Sequence, residues 1–203
     1  MTTAEHPVRH PMVVERYWFF TRRTYGTWLP GEDGFVGPYR SPDGRRVRDN
    51  APNLPTAEPI PPLARHAVER LTHPPVLLTD DQCEVVEREL LRTCDFRGWI
   101  PDVLAIMPNH LHILFGVDGD PDKDAMLAEF KAYCSRQLNK PVHRPKGWWW
   151  ADGGSTRRVR GEDGRGAVID YIRKQSGAVR VWLSTEARKV LQEYLTGVLP
   201  GVV

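Results

Sequence analysis

Two histidines spaced two residues apart are the residues of this chain best suited to chemistry. They lie in residues 107–117, which read MPNHLHILFGV and carry apolar residues at 111, 113, 115 and 117. Because side chains alternate across a β-strand, His110 and His112 are predicted to project from the same face of one strand. Two neutral imidazoles held side by side form half of a divalent-metal site. The alternative is that one histidine packs in the core and the other is solvated.

A second group of candidate residues lies in residues 170–175, which read DYIRKQ. The spacing predicts a helix over 167–175, on which Tyr171 and Gln175, four residues apart, share a face with Lys174 beside them. A tyrosine phenol, with a pKa of ~10, is a poor nucleophile until a nearby cation favours the phenolate. A bound metal and Lys174 would supply that cation. The alternative is that Tyr171 is a core residue of an amphipathic helix.

The amide of Gln175 offers a neutral oxygen that could complete a three-ligand site with His110 and His112. Two imidazoles plus one oxygen, with positions left open for phosphate oxygens and water, suit Mg²⁺ or Mn²⁺. This ligand chemistry alone does not exclude zinc. The alternative is that Gln175 is a surface amide.

The basic residues of the chain are concentrated in its second half. The 203 residues carry a formal net charge of only +2, but 131–180 contains twelve Lys or Arg against four Asp or Glu. Trp148, Trp149 and Trp150 lie in the same segment. Cations mixed with aromatic rings are typical of surfaces that bind phosphates and bases, so we favour a nucleic-acid partner over a solvated basic face. For each tryptophan, a place in the core is favoured over base stacking.

Composition places the chain among ordinary globular proteins. It has 40% hydrophobic and 27% charged residues, which argues against wholesale disorder. Its three cysteines form no C-x-x-C pair, which fits a reducing cytosol and excludes a cysteine-based zinc site of the usual spacing. No apolar run approaches 18 residues and the sequence shows no basic-then-apolar leader pattern, so we expect a cytoplasmic protein without a membrane partner.

The elements that position these residues can be predicted from local patterns. A strand over 13–24 precedes a long irregular insertion, rich in Gly and Pro, over about 26–62. A capping box at 79–82 predicts a helix that runs to about Phe96. The other predicted elements are a short helix near 63–71, a strand over 99–107 that forms a hairpin with the histidine strand through Pro108-Asn109, a helix over 122–139, an edge strand over 148–160 and a final helix over 184–195.

The order of the main elements is strand, helix, strand, strand, helix, strand, helix. This order predicts an α+β fold of the ferredoxin-like, split β-α-β type, with an antiparallel sheet backed by helices. We expect one domain over 1–203, with the insertion and the C-terminal helix as additions.

Four segments of the chain occur in an order that matches a known family. They are 24–31 (TYGTWLPG), 107–112 (MPNHLH), Trp150 with 153–158 (GGSTRR), and 171–175 (YIRKQ). In this order they resemble the single-tyrosine HUH transposases of bacterial insertion sequences, and more closely their REP-associated tyrosine transposase relatives. The resemblance covers about residues 13–180, and the insertion and the tail from Trp182 onward depart from the compact members.

The resemblance implies that His110, His112 and Gln175 bind Mg²⁺ or Mn²⁺ and that Tyr171 is the nucleophile. It also implies an HUH endonuclease-like version of the ferredoxin-like fold. Compact members are dimers that complete each site with the partner's tyrosine helix, whereas the REP-associated relatives are thought of as monomers. A homodimer is therefore one of two open states.

The expected function is metal-dependent nicking and strand transfer of hairpin-forming single-stranded DNA through a 5′-phosphotyrosine link, as in DNA transposition. One alternative is a domesticated, catalytically idle DNA- or RNA-binding module of the same fold. Another is a metal phosphodiesterase that activates water. The residues predicted to contact DNA are Arg22, Arg23, Lys131, Arg136, Arg157, Arg158, Arg160 and Arg173, with Lys174 supporting the nucleophile.

Overall fold

The computed structural model describes residues 14–33, 35, 39–40, 44–47, 58–141, 148–152 and 154–197. Its main sheet has five antiparallel strands in the spatial order β6-β1-β5-β4-β7, and β2 and β3 form a separate ribbon. The strands are β1 (Arg16–Arg23), β2 (Tyr39–Arg40), β3 (Arg46–Val47), β4 (Ile100–Ile106), β5 (His110–Val117), β6 (Ser155–Val159) and β7 (Arg180–Leu183). The helices are α1 (Pro61–Glu69), α2 (Asp80–Arg97), α3 (Lys123–Leu138), α4 (Gly161–Arg173) and α5 (Thr185–Thr196).

Strands β6, β1, β5 and β4 reproduce the predicted split β-α-β arrangement. Helix α2 precedes β4, β4 and β5 form the predicted hairpin, and α3 leads from β5 to β6. The two outer strands of this set, β6 and β4, flank the central pair β1 and β5. The predicted α+β, ferredoxin-like class is therefore confirmed.

Strand β7 is an element that the sequence analysis did not predict. It pairs antiparallel with β4, with Trp182 opposite Leu104 and Val181 opposite Ala105. Four residues are too few for an alternating pattern to stand out, so local sequence carries little signal here. The strand pairs with backbone groups of β4 that would otherwise form an open edge.

The sheet has an apolar layer on each face, as alternation along the strands requires. On one face Phe20, Ile113 and Phe115 pack with buried residues of α2 and α3. On the other face Phe19 and Leu114 pack with buried residues of α4 and α5. The histidine strand is therefore covered on both sides.

The predicted boundaries hold well for α2 and poorly for α4. Thr79 caps α2 by accepting from the backbone N–H of Gln82 at 3.3 Å, and the side chain of Gln82 accepts from the N–H of Thr79 at 3.0 Å. Helix α4 begins at Gly161 rather than 167 and ends at Arg173, two residues before the predicted end. Its first turns contain three glycines, which have low helix propensity, so contacts with the rest of the fold must hold them in place.

The predicted insertion over 26–62 is described only in part. It includes a turn region over 26–33, the β2–β3 ribbon and the start of α1, whose two prolines lie in the first helical turn. The remaining residues of the insertion lie outside the described residues. The predicted edge strand over 148–160 is shorter, since β6 covers only Ser155–Val159 and Trp150 forms an isolated bridge with Thr24.

A buried ion pair joins α4 to the sheet. The Nε and Nη2 atoms of Arg165 donate to the two carboxylate oxygens of Asp102, both at 2.7 Å. Asp102 is 0% exposed and lies in β4 where the pairing with β5 shifts register. The guanidinium also lies over the ring of Tyr17, with its Cζ 4.3 Å from the ring centroid. This pair is one of the contacts that hold the glycine-rich start of α4 on the sheet.

Removing one member of this pair should destabilise the protein strongly. R165M leaves the Asp102 carboxylate buried without its partner, and we expect the free energy of unfolding to fall by about 3–5 kcal/mol. The double variant D102L/R165M removes both charges and should recover most of that loss. Urea denaturation followed by tryptophan fluorescence measures both values. A double variant as unstable as R165M would show that the contact itself, rather than the stranded charge, carries the effect.

Candidate metal and phenol site

The two histidines lie at the start of β5 and share one face of the sheet, as predicted. Their ring centroids are 5.0 Å apart with an angle of 84° between the planes. On the neighbouring strand β1, Arg23 is paired with His110 and Thr21 with His112. The rigid β1–β5 ladder therefore holds the two imidazoles side by side.

Each imidazole has a hydrogen-bond partner at Nδ1. The Oδ1 atom of Asn109 lies 2.7 Å from Nδ1 of His110, and the Oγ1 atom of Thr21 lies 2.9 Å from Nδ1 of His112. Such partners fix the orientation of a ring and leave Nε2 as the atom that binds a metal. The arrangement fits a two-histidine half-site.

Both imidazoles are neutral at pH 7. Burial lowers the pKa of His110 to about 4, with the charge of Arg23 acting in the same direction. Burial also lowers the pKa of His112 to about 3, helped by His110 and Arg23. Neutral imidazole is the form that binds a metal, so protonation does not compete with binding near neutral pH.

Tyr171 lies beside the histidines, on the last turns of α4. Its ring centroid is 5.6 Å from that of His112 and 6.0 Å from that of Phe19. The side chain is 50% exposed, so the phenol is accessible from solvent as well as close to an imidazole. The structure therefore brings together three of the residues that the sequence singled out, all from one chain.

Gln175 lies near this site but not on the helix face that the sequence predicted. Helix α4 ends at Arg173, and Lys174 is its C-cap. The Nε2 atom of Gln175 donates to the backbone oxygen of Tyr171 at 3.1 Å. This bond uses the nitrogen end of the amide, whereas a cation would bind the oxygen end. Within the described residues no hydrogen bond joins Gln175 to either imidazole, so its role as a ligand stays a prediction.

Lys174, which was predicted to support the nucleophile, forms an ion pair with Asp170 in this structure. Its Nζ atom contacts Oδ2 of Asp170 at 2.6 Å, and the guanidinium of Arg173 contacts Oδ1 of the same carboxylate. These contacts lower the pKa of Asp170, the hydrogen bond from Lys174 being the largest cause. In this arrangement Asp170 pairs with Lys174, predicted to support the nucleophile, and with Arg173, predicted to contact DNA, since residues three and four apart meet on a helix.

Arg23 is the cation that the structure places at the site. Its Cζ atom lies 3.0 Å from the ring centroid of Trp28, a cation–π contact. Its charge acts on both imidazoles, and it interacts electrostatically with Tyr171. Alternation along β1 puts residues 19, 21 and 23 on one face, but only the pairing of β1 with β5 shows that this is the histidine face.

The other residues predicted to contact DNA lie on both faces of the sheet and on the outer surface of the protein. Arg157 lies over the ring of Phe19 at 5.1 Å from Cζ to centroid, on the histidine face. Arg22 is 3% exposed and donates to the backbone oxygen of Ala151, so it cannot reach an external phosphate in this structure. Lys131 is half-buried, and its pKa is lowered by burial and by the nearby charge of Arg22. The remaining exposed candidates are Arg136, Arg158 and Arg160.

Two of the three adjacent tryptophans belong to the core, as expected. The indole N–H of Trp149 donates to Oδ1 of Asn139 at 2.8 Å, and that of Trp150 donates to Oγ of Ser135 at 3.0 Å. Both rings are buried. Trp148 instead stacks on His73, with ring centroids 4.0 Å apart.

The donor set fits a divalent cation only when an oxygen ligand is added. In the part of the chain that the structure describes, no group of three His, Cys, Asp or Glu side chains could hold a metal. Two imidazole nitrogens are available, and the amide oxygen of Gln175 or oxygens of a bound phosphate would have to complete the coordination. All three cysteines are free and buried, and burial raises the pKa of the Cys83 thiol to about 11.

Comparisons with known proteins give structural neighbours but no sequence relatives. No protein-family model matches the chain, and no curated protein matches it. A solved REP-associated tyrosine transposase bound to a REP hairpin is 10% identical with a TM-score of 0.42, over 97% of this chain and 89% of that one. A transposase candidate from Deinococcus radiodurans is 14% identical with a TM-score of 0.44, over 83% and 97%. Within the described residues, no helix is long and apolar enough to cross a membrane.

Proposed function

We propose that this protein nicks and rejoins single-stranded DNA through a covalent bond between Tyr171 and a 5′-phosphate. The proposal rests on two neutral imidazoles and a half-exposed phenol that converge on one sheet face. The imidazole ring centroids are 5.0 Å apart, and the ring centroid of Tyr171 is 5.6 Å from that of His112. Paired imidazoles that could bind a metal and an accessible oxygen nucleophile suit phosphoryl transfer to a side chain.

In this proposal His110 and His112 hold a divalent cation through Nε2, with the amide oxygen of Gln175 as a third ligand. When bound, Mg²⁺ or Mn²⁺ would withdraw charge from the scissile phosphate and orient it. Thr21 and Asn109 keep the two rings oriented through Nδ1. The rigid β1–β5 ladder limits the motion of the whole set, which favours a productive geometry.

The chemical step is an in-line exchange of one phosphodiester for another. The phenol oxygen of Tyr171 forms a bond to phosphorus as the bond to the 3′-oxygen of the DNA breaks. The phenol proton is lost and the departing oxygen gains a proton to become a 3′-hydroxyl. A 3′-hydroxyl of another strand then reverses these changes, so the strands rejoin without ATP because each bond broken is replaced by an equivalent bond.

Side-chain accessibility favours Tyr171 as the nucleophile. Cys83, Cys94 and Cys134 are buried, and burial raises the pKa of each thiol, so none is an accessible thiolate. Tyr171 is half exposed and lies at the paired imidazoles. We assign phosphate contacts along the DNA to exposed cations around this face, beginning with Arg157.

Replacing the nucleophile should separate covalent chemistry from binding. We expect Y171F to reduce the rate of covalent complex formation by about a thousandfold or more, because the attacking oxygen is lost, while DNA affinity changes little. Incubation with labelled hairpin-forming single-stranded DNA and Mn²⁺, followed by a denaturing gel, measures the link. Y194F on α5 is the matched control, since its phenol lies outside the site.

Three outcomes of this gel would contradict the proposal in different ways. A denaturant-resistant link formed by Y171F would show that another residue is the nucleophile. Cleavage by the wild type with no covalent species would favour a phosphodiesterase that activates water. Uncut DNA on this gel, together with a complex on a native gel, would favour an idle DNA- or RNA-binding module.

The hydrogen bond between Thr21 and Nδ1 of His112 should matter for metal affinity. T21V removes the Nδ1 partner of His112 without replacing any of the three proposed ligands, and we expect Mn²⁺ to bind about 10-fold more weakly. Calorimetric titration with Mn²⁺ measures this change, and H112A should weaken binding further. H66A on α1 is the control for loss of a histidine elsewhere. Unchanged Mn²⁺ affinity in both T21V and H112A would remove His112 from the metal site.

A further inference from the structure

Arg23 has a position that its predicted role in general DNA binding does not explain. It is paired with His110 across the β1–β5 ladder, so its side chain lies on the histidine face. Its charge is felt by His110, His112 and Tyr171. In the described part of the chain, Arg23 is the one Lys or Arg whose charge lowers the pKa of both imidazoles.

The loop that follows β1 holds this guanidinium in place. Trp28 stacks on it, with Cζ 3.0 Å from the ring centroid. The indole N–H donates to the backbone oxygen of Asp33 at 3.3 Å, and the Trp28 ring packs on Phe35 with centroids 5.3 Å apart. Glu32 accepts from the N–H of Leu29 at 2.7 Å, which closes the same loop. The planar group is therefore pre-oriented rather than free in solvent.

A cation in this place is unfavourable for a bare metal site. Burial lowers the pKa of Arg23 to about 10, and Glu32 and Tyr171 only partly oppose that effect, so the group stays charged at neutral pH. A guanidinium beside two imidazoles repels a divalent cation bound to them. An anion placed between the guanidinium and the metal would be attracted to both and would offset their mutual repulsion.

We propose that Arg23, held by Trp28, binds the scissile phosphodiester from the side opposite the metal, so that metal and DNA strand bind cooperatively at this site. This inference rests on the proposed function and assigns Arg23 a role distinct from that of the surface cations. A guanidinium presents two parallel N–H groups to phosphate oxygens, and its stacking on a flat ring fixes their direction. Lysine would keep the charge but lose both the fork and the stack.

The test measures the coupling between metal and phosphodiester binding. The full chain is titrated with Mn²⁺, with and without the dinucleotide dTpT as the phosphodiester probe, and free Mn²⁺ is followed by electron paramagnetic resonance. We expect dTpT to tighten Mn²⁺ binding about 10-fold in the wild type. R23Q should bind Mn²⁺ alone more tightly, because a repelling charge is gone, and its coupling should fall to about twofold or less. R23K should lie between the two.

R188Q is the matched control, since it makes the same change of net charge on the exposed surface of α5. It should keep the wild-type coupling. Equal coupling in R23Q and the wild type would overturn the proposal. If the wild type binds no Mn²⁺, the metal role in the proposed function fails separately. The cooperativity then fails with it, and the phosphodiester contact of Arg23 is judged by dTpT binding in EDTA, measured by nuclear magnetic resonance: weaker binding in R23Q than in R188Q supports that contact, and equal binding overturns it.

Discussion

The register between β1 and β5 is the constraint on which the site depends. A slip of one residue would turn His110 and His112 onto the opposite face, against α2 and α3. The turn before β5 fixes this register, because the backbone oxygen of Asn109 accepts from the N–H of Thr24 at 3.0 Å and from the hydroxyls of Thr24 and Thr27 at 3.0 and 3.1 Å. The side chain of Asn109 also orients His110. One turn residue thus links strand pairing to the geometry of the imidazoles.

Electrostatics and burial act together at this face. The imidazoles are buried enough to stay neutral, whereas Arg23 remains charged although burial lowers its pKa. Lys174 and Arg173 are held by Asp170, so their charges are largely satisfied within α4. The net result is a site whose own groups carry positive charge and neutral nitrogen donors but no carboxylate ligand in the described residues. These surroundings suit an anionic substrate better than a cation alone.

Features that depend on local pattern could be predicted from the sequence, and features that depend on distant contacts could not. The shared face of His110 and His112 follows from alternation, and the start of α2 follows from its capping box. The glycine-rich start of α4 was missed because it depends on the buried contact with Asp102, far away in sequence. The position of Arg23 at the site could not be predicted either, because it depends on the register between β1 and β5. The supporting role of Lys174 stays a prediction; the sequence analysis did not consider its contact with Asp170, four residues earlier.

The side chains of the candidate site all come from one molecule, and this bears on how many copies the chemistry requires. The imidazole pair and the phenol come from β5 and α4 of the same chain, and the ion pair between Arg165 and Asp102 keeps that helix on its own sheet. In the proposed mechanism, a second copy is therefore not needed to donate the tyrosine helix. Chemistry at such a site would be first order in protein, and its rate per molecule would survive dilution.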